Sequence, residues 1–222
     1  MVAFSSIVLG LSAIATTAFA APTADVPDFE LNAPTKALAV RQDYNQNYKT
    51  GGNIQYNPTS NGYSITFSGA QDFVLGKGWR TGTTRNIKFQ GSTQAQSGTV
   101  LVAVYGWTKN PLVEYYIQEY TFGGQGSAQG QKMGSVTCDG SAYDIWKHTQ
   151  VNQPSIVGTT TFTQYISNRV NKRAGSGTVT TKCHFDAWAK LGMKLGQHDY
   201  QTLSTEGWGN ASGKSQYTIS AA

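Results

Sequence analysis

Apolar and polar residues alternate along much of the chain in short runs. These are GYSITFSG (62–69), NIKFQG (86–91), TVLVAVYGW (99–107), PLVEYYIQEY (111–120), TTFTQYIS (160–167), GTVTT (177–181), DYQTLSTEGW (199–208) and QYTIS (216–220). A period of two, with Gly, Asn, Pro or Ser at most of the borders, is the pattern of strands joined by turns. Only CHFDAWAKLG (183–192) reads as a helix, with Phe185, Trp188, Ala189 and Leu191 on one face and Gly192 ending it. Many strands and a single α-helix predict an all-β sandwich or jelly roll.

Side chains alternate across a strand, so each run has two readable faces. In 111–120, Leu112, Glu114, Tyr116, Gln118 and Tyr120 share one side, and Val113, Tyr115, Ile117 and Glu119 share the other. In 199–208, Tyr200, Thr202, Ser204, Glu206 and Trp208 lie together, and in 99–107 so do Ala103, Tyr105 and Trp107. A solvated sheet face would more usually carry Lys, Thr and Glu than this density of Tyr and Trp. Aromatic faces that also hold carboxylates suit carbohydrate, because rings stack on sugar C–H surfaces while hydroxyls and amides hydrogen-bond. Glycoside hydrolysis needs two carboxyl groups flanking one bond. Residues 42–222 contain nine acidic side chains, and only Glu114 and Glu206 fall on strand faces that carry Tyr and Trp. Glu119 points the other way.

Composition adds bounds. Glycine is abundant (25 of 222 residues) and charged residues make up only 13%, as in a turn-rich all-β protein. Residues 1–20 have an apolar middle and end in Ala18-Phe19-Ala20, the layout of a secretory signal peptide and too short an apolar run to cross a bilayer. Residues 21–41 hold three prolines and read as a propeptide cut after Arg41, which leaves 42–222 as one domain, secreted to the extracellular space. The net charge of +5 is scattered without a basic run, so nucleic acid is not an expected partner. His148, His184 and His198 lack metal-ligand spacing, and no phosphate-binding loop or Ser nucleophile elbow is present; Gly76-Lys77-Gly78 reads as a turn. Neither metal nor cofactor is expected. Two cysteines, Cys138 and Cys183, in an exported chain favour pairing, worth about 4 kcal/mol by the chain-entropy argument.

NPLVEYY (110–116), VNQPSIVGT (151–159), TFTQYIS (161–167) and STEGWG (204–209) resemble the endo-1,4-β-xylanases of glycoside hydrolase family 11, and FVLGKGW (73–79), VYGW (104–107) and CHFDAWAKLG fit the same family in order along 42–222. The resemblance implies a β-jelly roll of two twisted antiparallel sheets with one α-helix, acting on xylan as a monomer. It matches Glu114 to the nucleophile and Glu206 to the general acid/base of a retaining mechanism. Tyr105, Tyr116, Gln164 and Tyr200 match substrate-binding residues of the cleft, and Pro154, Ser155 and Ile156 match the tip of a mobile thumb. Plant xylanase-inhibitor proteins are partners such a family implies. A non-catalytic xylan-binding or plant-elicitor protein on the same scaffold is the alternative, against which retention of both glutamates argues.

Six positions bear on how this chain would differ within the family. Asp72 stands where members carry Asn or Asp beside the acid/base, which implies an acid-adapted enzyme. Tyr48 occupies the place of a cleft-wall Trp, and Gln150 that of a usual Arg. Cys138 and Cys183 stand where most relatives have other residues, which supports a bridge from a strand-end turn to the helix. Asn210-Ala211-Ser212 is an N-glycosylation sequon four residues after Glu206.

Overall fold

The computed structural model describes residues 41–222, so the expected signal peptide (1–20) and all but the last residue of the expected propeptide (21–41) lie outside the described residues. The strands are β1 (Tyr44–Lys49), β2 (Asn53–Pro58), β3 (Gly62–Trp79), β4 (Asn86–Lys109), β5 (Val113–Phe122), β6 (Gln131–Cys138), β7 (Ser141–Gln153), β8 (Thr160–Arg169), β9 (Gly177–Thr180) and β10 (Gln197–Ala221). The one helix among the described residues is α1 (Thr181–Lys190).

Three long strands organise the molecule. The second half of β10 pairs on one side with the first half of β3, which also pairs β2, and on the other with the first half of β4, which also pairs β9. Their other halves pair in a second layer with β1 on one side and β5, β8, β7 and β6 on the other. At the corner between the layers, β10 shifts register against both neighbours between Trp208 and Gly213. Gly69, Gly98, Gly209 and Asn210 all take positive φ there, a conformation that costs glycine little. The two layers of the jelly roll are therefore joined by continuous strands into one hydrogen-bonded ten-stranded sheet, in which β5 and β8 run parallel.

Between the layers lies the main core. Ile65, Phe67, Phe73, Leu75, Val102, Val104, Tyr115, Ile117 and Leu203 are among its fully buried side chains. The predicted faces hold over most of 111–120: Val113, Tyr115 and Ile117 point into this core, and Glu114 and Tyr116 point the opposite way. Tyr120, expected on the Glu114 face, packs against the core instead, because β5 shifts register against β4 between Gln118 and Tyr120. Glu119 lies on the core side, completely buried, paired with the Arg173 guanidinium and accepting from Tyr143 Oη at 2.6 Å.

Three local expectations change. The runs 86–91 and 99–107 are parts of a single strand, β4, whose core-facing positions switch from odd (Ile87, Phe89) to even (Val100, Val102, Val104) across the corner. Gly76-Lys77-Gly78 is not a turn but mid-strand in β3, paired on both sides. The helix starts two residues earlier than read and buries Thr181, His184, Phe185 and Trp188, while Ala189 and Leu191 are exposed. Phe185 and Trp188 at i and i+3 fix the inward face, and His184 beside them is drawn into the interior against the Tyr143 ring. Gly192, with φ 75°, follows the helix end. Cys138 at the end of β6 and Cys183 on the helix form a disulfide.

Candidate active site

The face of the larger layer turned away from the core carries a second apolar cluster, with Val74, Tyr105, Trp107, Tyr116, Phe162, Ile166 and Tyr200. Above it is an open cleft of about 330 Å³. Strand alternation and cross-strand register decide what enters it. Trp107 pairs with Glu114 between β4 and β5, Glu114 pairs with Gln164 between β5 and β8, and Glu206 enters from β10 opposite Val74 of β3. Each carboxylate is thus held by backbone paired on both sides, Glu114 as the second residue of β5 and Glu206 in the middle of β10.

Glu114 is 7% exposed, and its oxygens are fully engaged. Oε1 accepts from Tyr105 Oη at 2.8 Å and from Tyr116 Oη at 3.0 Å, and Oε2 accepts from Gln164 Nε2 at 2.7 Å. Trp107 Nε1 donates to Tyr105 Oη at 2.7 Å, so the tyrosine proton is directed at Glu114. Burial raises the Glu114 pKa, and the hydrogen bonds from Gln164, Tyr105 and Tyr116 oppose that rise by favouring the anion.

Glu206 differs. It is 9% exposed, and its Oε2 is buried with no hydrogen-bond partner. Burial first, then repulsion from Glu114 and Asp72, hold its pKa well above the usual carboxylate value, against a small opposing hydrogen bond from Tyr116. Two carboxyl groups in one cleft therefore have environments that push their protonation states apart, the mark of an acid and a base in one site.

Asp72 on β3 pairs with Trp208, one step along the same face from the Val74–Glu206 pair. Its own pKa is raised by burial, against hydrogen bonds from Tyr48 and from the Phe73 backbone. Tyr48 on β1 stands at the cleft edge and is largely exposed. Pro154, Ser155 and Ile156 reach the cleft from the hairpin between β7 and β8. The tip of that hairpin is closed by the Ser155 N–H to Gly158 O bond at 3.1 Å and by Ser155 Oγ donating to Gly158 O at 2.6 Å. Tyr200 lines the cleft under Tyr44, whose ring stacks on it at 4.4 Å. Every cleft residue expected from the sequence is brought together. Asn210 is not among them: it is exposed at the corner bulge, where its carbonyl accepts from Ser97 Oγ at 2.9 Å.

Residues not singled out from the sequence also line the cleft, among them Gln46, Val74, Gln153 and Phe162. Face parity would have found two of them, since Gln46 shares a face with Tyr48 and Phe162 with Gln164. None of the lining residues is Lys, Arg or His, so the charged groups of the cleft are Asp72, Glu114 and Glu206. Among the described residues no cluster of His, Cys, Asp and Glu is arranged to hold a metal ion.

The pattern of the family described as Glycosyl hydrolases family 11 matches residues 40–218. The chain belongs to this family. Within family 11 it is 47% identical to endo-1,4-β-xylanase 1 of Hypocrea jecorina, over 97% of this chain and 98% of that one. It is 49% identical to endo-1,4-β-xylanase 2 of Rhizopus oryzae, over 99% and 100%. A solved family 11 structure, from a comparison of two major endo-1,4-β-xylanases of Trichoderma reesei, superposes with a TM-score of 0.78 at 50% identity. It covers 81% of this chain and 99% of its own.

Proposed function

We propose that the cleft hydrolyses internal β-1,4 bonds of xylan by double displacement, with Glu114 as nucleophile and Glu206 as general acid/base. The chain is a retaining endo-1,4-β-xylanase of family 11. The observation that carries the residue roles is the unequal hydrogen bonding of the two carboxyls. Three donors hold Glu114 as an oriented anion, while Glu206 has a buried oxygen with no hydrogen-bond partner and is disfavoured as an anion. Glu206 first protonates the departing glycosidic oxygen as Glu114 attacks the anomeric carbon. The released Glu206 carboxylate then takes a proton from the water that cleaves the glycosyl ester. After burial, repulsion from Glu114 is the largest cause of the raised Glu206 pKa. Ester formation neutralises Glu114 and lowers that pKa, so the same group becomes a better base when one is needed.

Tyr105 and Tyr116 bind and orient through Glu114 and the sugar. Gln164 holds the nucleophile, Tyr48 supplies ring surface at the cleft edge, Tyr200 backs the cleft beneath Tyr44, and Pro154, Ser155 and Ile156 cover the substrate as the thumb tip. Reducing-sugar release from xylan tests the central assignment. The Glu114→Ala variant is expected to lose activity by on the order of a thousandfold or more, with the first-formed product of the wild type retaining anomeric configuration. Near wild-type release by Glu114→Ala would overturn it. The same reading includes export guided by residues 1–20, maturation after Arg41 to a single catalytic domain, a monomeric and acid-adapted enzyme, glycosylation of the exposed Asn210, and plant xylanase-inhibitor proteins as partners.

A further inference from the structure

We propose that Gln150 is a positioning residue for the nucleophile: by donating to Gln164 Oε1 it fixes the Gln164 amide with its Nε2 toward Glu114. This rests on the assignment of Glu114 as nucleophile. Gln150 Nε2 lies 3.2 Å from Gln164 Oε1, and Gln164 Nε2 lies 2.7 Å from Glu114 Oε2. The three side chains form one line of hydrogen bonds from the base of the thumb to the reacting carboxylate. Gln150 is the last residue of β7 in regular register with β8; the pairing shifts between Gln150 and Gln153, where the thumb begins. It stands opposite Phe162 and diagonal to Gln164 on the same face, a separation long side chains span.

The oxygen and nitrogen of a side-chain amide are nearly the same size, so the partners of Gln164 decide which one meets Glu114. With Nε2 inward, Gln164 donates to the ionised, attacking form. With Oε1 inward, two acceptors would meet unless Glu114 were protonated, which favours the form that cannot attack. Gln150 Nε2, donating to Oε1, is complementary to the first arrangement and opposes the second unless its own amide turns as well.

Selection matters here because no cationic side chain lines the cleft, so the Glu114 anion depends on neutral donors. The titratable groups around it are Tyr105 on β4, Tyr116 on β5, Glu206 and Tyr200 on β10 and Asp72 on β3. On β7, His148 pairs in register with Gln164. Of these, only the two tyrosines hydrogen-bonded to Glu114 favour its anion, and burial works against it.

The test is a pH–rate profile on xylan for wild type, Gln150→Leu, Gln150→Lys, Gln164→Leu and the Gln150→Leu/Gln164→Leu pair, each checked for a native melting transition. Gln150→Leu is expected to lower kcat roughly 3- to 10-fold with little change in KM, the size of one hydrogen bond. It should also move the acidic limb of kcat/KM, which reports Glu114 ionisation, up by about half a pH unit or more. Gln150→Lys keeps a donor to Gln164 and should leave that limb at or below the wild-type position. Adding Gln150→Leu to Gln164→Leu should change little further, because the relay is already broken. An acidic limb unmoved in Gln150→Leu, or losses that simply multiply in the double variant, would show that Gln150 does not act through Gln164. Failure of the underlying assignment reads differently, as activity that survives Glu114→Ala.

Discussion

On the proposed roles, Asp72 sets the working pH through its neighbour Glu206. Both carboxyl groups have raised pKa values, Glu206 far more than Asp72, and they sit one residue pair apart on neighbouring strands. As the proposed acid/base, Glu206 must carry a proton aimed at the leaving oxygen. When Asp72 ionises first, its carboxylate competes for that proton as an acceptor, so the basic limb of activity follows the first proton lost from the pair. Asparagine at position 72 has no proton to lose on this scale and can donate to Glu206. The basic limb then follows Glu206 itself, still held high by burial and by Glu114, the two largest causes of its shift. Asp72→Asn is therefore expected to move the upper limb of the pH–activity curve on xylan upward by about one pH unit or more. A mutant profile that superimposes on the wild type would sink this account.

At the scale of elements, the disulfide ties α1 to the end of β6 across 45 residues of chain. Around it Asp139 accepts from the Thr180 backbone N–H at 2.9 Å and from Thr180 Oγ1 at 2.7 Å, fastening the start of the helix independently of the sulfurs. Replacing both cysteines with serine should lower unfolding stability by about 2–4 kcal/mol, chiefly through the unfolded chain. The cleft lies on another face of the sheet, so activity at 25 °C should persist. Denaturant melts and a xylan assay on the same sample check both halves, and lost activity in a folded variant would contradict the separation. The helix also shows where the sequence was legible. The strand faces grouped Glu114 with Tyr116, Glu206 with Tyr200, and Tyr105 with Trp107, and these residues share one cleft, because a period of two is local and needs no partner. Gln164 came from the family resemblance. The corner was not readable: β4 looks like two strands because its inward positions change parity where register shifts against β10. Nor was the Gln150–Gln164 bond, which depends on β7–β8 register. His184 is buried by the packing of α1 against Tyr143, which the helical period alone does not reveal.

Across the whole molecule, the groups that equip the cleft also tilt its stability with pH. Glu206 has a folded-state pKa well above its ordinary value. Between the ordinary and the raised pKa, the folded protein keeps a proton that the unfolded chain releases, so stability falls as pH rises through that window. Glu114 and Asp72 are shifted in the same direction. His184 works the other way. Its buried ring, with neither nitrogen hydrogen-bonded, has its pKa pushed down to about 4, so stability is lost as pH falls from the ordinary histidine value toward that point. The two tendencies come from different elements and separate by mutation. Glu206→Gln removes the ionisable group while keeping its shape, and should stabilise the protein at pH 7 by about 1–3 kcal/mol, or roughly 2–10 °C in Tm. The advantage should vanish near pH 3.5, where the wild-type carboxyl is protonated in both states. The decline attributed to His184 should be the same in both proteins. Thermal melts of wild type and Glu206→Gln at the two pH values decide the matter: an equal increment at both would assign the gain to packing, and no increment at pH 7 would mean that the acid/base is held in the cleft at no cost to the fold.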